Sequence, residues 1–173
     1  VLAERIRALE LPRAVVLIDG GSGSGKTTLG TELAYALGAQ LVNMDAFYPG
    51  WGGLEVGSAM VRGSVLDPEK PGFRRWDWKK REPAEWHKLR ADKPIVIEGS
   101  GALSEANREV ADYGIWIQLD PAERKRRAIA RDGAMYLEHW DRWAQQEIAF
   151  FLRERPDVLA DTVVDGWTGR LLR

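Results

Sequence analysis

At 173 residues, with 45% apolar and 29% charged side chains, the chain has the make-up of one soluble globular domain, or of one domain with a sizeable insertion. Lys and Arg (25) nearly balance Asp and Glu (26), so no global field would draw it to a polyanion such as nucleic acid or an anionic membrane. It has no cysteine, which excludes disulfides, thiol catalysis and Cys-ligated metal, and His87 and His139 are too few and too far apart to suggest a histidine-built metal site.

Leu2, Ile6 and Leu9 recur at helical spacing, and Pro12 closes that first helix. The opening VLAERIRALELPRA is an amphipathic mixture with acidic residues rather than a secretory signal, and no apolar run is long enough to cross a bilayer, so a cytoplasmic location is expected. AVVLID (14–19) is a continuous apolar run of strand length, as a strand buried on both faces requires. Leu29, Leu33 and Leu37 mark a helix face, with Gly38 placed to cap its C-terminus. QLVNMD (40–45) reads as a second strand.

Residues 46–93 are rich in Gly, Pro and Trp and weakly periodic, so they read as a functional insertion rather than a connection. Within it the expectations are a helix over Ser58–Leu66, an extended FRRWDW (73–78), and a helix over PAEWHKLR (83–90) with Pro at its first turn. Strands follow at PIVIEG (94–99), GIWIQLD (114–120) and DTVVDG (161–166). Between the last two lie an arginine-rich helix, Pro121–Asp132, and a longer one, Tyr136–Arg155. Such alternation implies an α/β fold with a mostly parallel sheet covered on both faces.

Gly20, four residues, then Gly25-Lys26-Thr27 fits the phosphate-binding pattern G-x-x-x-x-G-K-[ST] between a strand and a helix. Glycines at 20, 21, 23 and 25 let successive N–H groups turn inward beside the positive end of a helix. Gly20, Gly21, Ser22, Gly23, Ser24, Gly25, Lys26, Thr27 and Thr28 are therefore the expected nucleotide-binding residues. Lys26 would reach the β- and γ-phosphates, and Thr27 would offer a hydroxyl to Mg²⁺. A nucleoside triphosphate with Mg²⁺ is the expected ligand.

Carboxylates at strand ends face the ligand crevice of an open parallel sheet. Asp45 is placed to accept a proton from an attacking hydroxyl. Glu98 could hold part of the Mg²⁺ shell. Arg124, Arg127 and Arg131 follow at i, i+3 and i+7 and so share a helix face that can clamp a phosphoryl group in flight, while Arg126 lies off it.

Taken in order, GGSGSGKTT, MDAFY, RRWDW, VIEG and LDPAERKRRAIARD resemble the uridine kinase-like branch of P-loop kinases, over most of the chain. The resemblance implies a three-layer P-loop kinase fold with a five-stranded parallel sheet in the order 2-3-1-4-5. It implies one domain over 1–173, with an acceptor-binding insertion at about 46–93 and a short lid at about 124–136. It also implies an ATP-dependent kinase that moves the γ-phosphoryl group to a hydroxyl of a small molecule. On the matching positions Asp45 resembles the general base and Tyr48 the aromatic residue lining the acceptor site. Asp77 resembles an acidic acceptor contact, and Arg127 and Arg131 resemble lid arginines that work with Lys26 on the transferred group.

PGFRRWDW stands where uridine kinases carry a DHP-type segment, and no counterpart of the pyrimidine-reading residues is evident. Arg74 and Arg75 either grip an acceptor phosphate or are solvated, and the tryptophans at 51, 76 and 78 either stack on a planar acceptor or pack the insertion. Trp140 and Trp143 read as packing under the long helix, and His87 and His139 as surface or partly packed residues. Other acceptors (a sugar acid, an antibiotic or a nucleoside monophosphate) stay open, as does an ATPase or switch without an acceptor. No nucleic-acid or membrane partner is expected, and a homo-oligomer is left open.

Overall fold

A computed structural model describes all residues from Val1 to Arg173. Five strands form an all-parallel sheet: β1 (Val15–Asp19), β2 (Gln40–Asn43), β5 (Ile95–Glu98), β6 (Tyr113–Gln118) and β7 (Thr162–Asp165). Their spatial order is β2-β5-β1-β6-β7. Two more strands, β3 (Gly72–Asp77) and β4 (Glu82–Lys88), pair antiparallel in a separate hairpin. The helices are α1 (Leu2–Arg7), α2 (Lys26–Leu37), α3 (Leu54–Met60), α4 (Glu105–Arg108), α5 (Pro121–Glu154) and α6 (Pro156–Leu159).

The apolar run of β1 is explained by its two neighbours. Val16 and Ile18 face one layer with Ile6 of α1, Leu33 and Ala34 of α2, and Val96, Ile115 and Val164 of the other strands. Val15 and Leu17 face the opposite layer with Met44, Phe47, Tyr48, Leu54, Trp143 and Phe150. Period-two alternation thus buries every β1 side chain, and each strand end points to the same rim.

Helix ends follow their local chemistry. Gly38 closes α2 at φ 61°, and Asp120 caps α5 by accepting from Ala122 and Glu123 N–H, with Pro121 next. The two helices expected at 121–132 and 136–155 are the two segments of α5, which meet at a break at Gly133 (φ 72°, ψ −157°).

The insertion departs most from expectation. The helix expected over 58–66 begins at Leu54, after Gly53, and passes into a π-helical turn over Val61–Val65. The helix expected over 83–90 is strand β4. Pro83 is tolerated because a two-stranded sheet consists only of edges. Cross-strand contacts decide the conformation: Arg75 grips Glu85 at 2.6 and 3.1 Å, and Trp86 packs over Gly72. Asp77 makes the turn, its Oδ1 accepting the N–H groups of Lys79 and Lys80 at 3.0 and 2.9 Å.

Candidate active site

The rim where β1, β2 and β5 end carries a cleft of about 660 Å³. One end is the glycine loop: Ser22, Gly23, Gly25, Lys26, Thr27 and Thr28 line it. Gly23 and Gly25 take φ of 82° and 102°, which L side chains rarely adopt. Gly23 is also pinned from behind, since a Cβ there would lie 2.1 Å from the Arg124 carbonyl oxygen. Lys26 is buried and donates to the Gly21 carbonyl at 3.1 Å across the loop it closes.

Two buried carboxylates support this end. Thr27 Oγ1 donates to Glu98 Oε1 at 3.0 Å. Burial raises the Glu98 carboxyl above its usual range, opposed by Lys26 and the Thr27 hydroxyl. Asp19 is completely buried and accepts backbone N–H groups from Gly20 (2.7 Å), Gly101 (3.1 Å) and Leu103 (2.8 Å). Burial pushes its carboxyl up to about 7, against the pull of those amides and Lys26. Asp19 thereby ties the loop after β1 to the loop after β5. It was not among the expected site residues, although a carboxylate between a buried strand and a glycine loop is a legible signal.

The other end of the cleft is aromatic. Tyr48, Trp51, Trp78, Tyr136 and Trp143 line it with Met135. Tyr48 is buried, donates to the Ser100 carbonyl at 2.7 Å and meets Trp143 edge-on at 4.8 Å. Trp51 lies 5.1 Å from Trp78 and stacks flat on His139 at 4.5 Å, so this histidine is the partly packed residue expected and supports the wall.

Asp45 sits between the two ends, on the helical turn after β2. Its side chain reaches solvent through the cleft, yet protein walls surround it and raise its carboxyl, with Lys26 and Arg131 pulling the other way. Its backbone is fixed on both sides, by Asn43 Oδ1 at 2.8 Å and by the Trp78 indole N–H at 2.8 Å.

The arginine row does not converge on the cleft. Only Arg131 lines the cleft, beside Asp132, which it grips at 2.7 and 3.0 Å. Arg127 donates to the Gly166 carbonyl (3.0 Å) and to Glu123 (2.7 Å) and lies over the Trp167 ring. Arg124 packs behind the loop against Gly21. The cause is geometric: α5 starts directly behind the glycine loop, so its first turns are used up in packing there. Arg74 and Asp77 also fall outside the cleft, because Arg74 donates to the Ala84 carbonyl across the hairpin (3.0 Å) and Asp77 is spent on the turn. The structure brings together Lys26, Thr27, Thr28, Asp45, Tyr48, Glu98 and Arg131.

No family model matches the chain. Shikimate kinase 2 of Yersinia pestis (strain Pestoides F) is 35% identical over 107 residues, covering 60% of this chain and 55% of that protein. The chain thus spans about half the length of that curated relative. A possible uridine kinase from Bacillus stearothermophilus superposes with a TM-score of 0.66, at 22% identity and over 95% of each chain. Shikimate kinase from Bacteroides thetaiotaomicron does so at 0.52, with 17% identity, over 88% of this chain and 86% of that one. The chain has the α/β fold of P-loop kinases, with a parallel five-stranded sheet.

Proposed function

We propose that the protein is an ATP-dependent kinase that transfers the γ-phosphoryl group to a hydroxyl of a small, ring-bearing molecule, in the manner of a nucleoside kinase. The observation that carries this reading is one cleft holding a phosphate-type loop, a solvent-reachable carboxylate and an aromatic wall, in that order. The loop amides and Lys26 hold the phosphate chain. Asp45 takes the proton of the attacking hydroxyl, and Arg131 stabilises charge on the group in flight. Arg127 has no part in this reading, since its guanidinium is engaged outside the cleft.

Thr27 and Glu98 suit Mg²⁺, because a hydroxyl and a carboxylate oxygen already lie 3.0 Å apart at the loop. Magnesium prefers such hard oxygen donors and needs no all-protein cage. When bound it would neutralise phosphate charge, and these two residues would hold it.

The relatives named shikimate kinase act, by that name, on a hydroxy acid. The acceptor end of this cleft offers such an anion little, since Arg131 is assigned to the transferred group and the remaining cation there is Lys79. Five aromatic side chains instead offer flat apolar surface. An ATP-consumption screen over nucleosides, hydroxy acids, sugars and nucleoside monophosphates, with product mass measured, tests the reading. A product heavier by one phosphoryl group is expected with a ring-bearing neutral alcohol. Phosphate release that no acceptor changes would replace the kinase with an ATPase.

A further inference from the structure

Ser22 stands at the tip of the glycine loop, and α5 holds all three of its polar groups. Its N–H donates to Glu147 Oε1 at 2.7 Å. Its hydroxyl is hydrogen-bonded to the Tyr136 hydroxyl. Its carbonyl faces Arg124 Nη1 at 3.4 Å. These partners straddle the break in α5, Arg124 before Gly133 and the other two after it.

Glu147 is the unusual member. It is 1% exposed, and its Oε1 also accepts from Ser100 Oγ (2.7 Å) and from the Trp143 indole N–H (3.0 Å). A bare carboxylate behind a phosphate cup would repel the ligand, and Arg124 offsets that charge at 3.3 Å. Trp143 turns its ring to the acceptor wall, against Tyr48 and Trp51. The wall and the loop tip are therefore two hydrogen bonds apart, through one buried carboxylate.

We propose that Glu147 and Tyr136 are positioning residues that set the glycine-loop tip through Ser22, and that Glu147 transmits nucleotide occupancy to the acceptor wall through Trp143. The inference rests on the reading of residues 20–27 as a phosphate site. It follows that the loop geometry and the wall geometry are set jointly, so nucleotide bound at the loop is felt at the wall.

The test uses the full chain and Mg·ADP as probe, with affinity from calorimetry and folding from thermal melts. The chain is labelled with fluorotryptophan, and the Trp143 resonance among the eight tryptophans is assigned by its loss in Trp143→Phe. Tyr136→Phe keeps the ring packing and removes one hydroxyl, so Mg·ADP should bind about fivefold more weakly. Glu147→Gln leaves a neutral acceptor but removes the charge and sets an NH₂ against Arg124, for a loss of about tenfold or more. In wild type, saturating Mg·ADP should move the Trp143 resonance, and in Glu147→Gln that response should vanish. If Glu147→Gln does not fold, the Tyr136→Phe affinity and the wild-type resonance decide. Variants that melt lower yet bind Mg·ADP like wild type would make the contacts merely structural and overturn the proposal. So would a Trp143 resonance indifferent to saturating Mg·ADP. Wild-type protein that does not bind Mg·ADP at all would overturn the phosphate-site reading and this inference with it, whereas normal binding with unaffected variants removes the inference alone.

Discussion

Replacing Asp45 by Asn isolates the chemistry of one carboxylate. The backbone there is held without the side chain, by Asn43 Oδ1 and by the Trp78 indole, each at 2.8 Å. The side chain opens to the cleft, so Asn fits the same space and folding stability should stay within about 0.5 kcal/mol. Nucleotide affinity should hold or rise slightly, because a negative charge near the phosphate end is removed. Turnover should fall by about 10²–10⁴, the usual worth of a positioned general base, which is about 3–5 kcal/mol of barrier. The pH profile gives a second readout. Enclosing walls raise the Asp45 carboxyl, and only its ionised form accepts a proton, so the wild-type rate should drop as pH falls through a pKa above the ordinary carboxylate range. The share of that limb due to Asp45 should be lost in the variant, leaving what Glu98 and Asp19 contribute. An acceptor-dependent ADP-release assay beside direct nucleotide binding measures all of this. Turnover within about twofold of wild type, or an unchanged acid limb, would refute the assignment.

Two further outcomes concern the loop and its carboxylates. A Cβ on Gly23 would meet the Arg124 backbone at 2.1 Å, whereas one on Gly25 meets nothing within 4 Å. Both Gly→Ala changes should cost about 1–2 kcal/mol for the positive φ, and Gly23→Ala distinctly more in urea unfolding of the ligand-free protein; equal losses would contradict the packing described. Asp19 titrates near 7 in the folded chain and Glu98 is raised too, so at intermediate pH the native state binds protons that the unfolded chain has released. Stability should therefore rise as pH falls from about 7 toward the carboxylate range, and decline as pH climbs back through it. Urea midpoints across that window check the sign, and Asp19→Asn should flatten the trend.

The parallel sheet was legible because β1, β5, β6 and β7 are largely apolar runs, and β1 and β5 lead into a glycine loop and Glu98. The hairpin was not, because β4 is exposed along most of its length and so carries no alternation to read. Pro83 then mimics a helix start, and only the Arg75–Glu85 and Gly72–Trp86 contacts, distant in sequence, decide otherwise. The glycine loop and Asp45 were legible for the reverse reason, being local signals at strand ends. The arginines at 124, 127 and 131 share a face as spacing demands, but spacing cannot say that the first two turns of α5 abut the loop. Glu147, Tyr136 and Trp143 lie more than a hundred residues beyond the glycine loop, and their types alone suggest a solvated carboxylate and two packing aromatics.

Five carboxylates ring a site built for a polyanion, which needs explanation, and one of them, Asp132, is paired with Arg131. Asp19 is answered by backbone amides and Lys26, Glu147 by Arg124, and Glu98 by the Thr27 hydroxyl. Each of these is a brace, and its partner cancels much of the repulsion it would exert on phosphate. Asp45 has no hydrogen bond to its carboxylate and only the more distant fields of Lys26 and Arg131. A free carboxylate near phosphate weakens binding and adds nothing to the fold, since the turn that carries it is held by Asn43 and Trp78. Its position is therefore better explained by the proposed proton transfer than by structure, and on that proposal the hydroxyl would come from the side of the aromatic wall facing it.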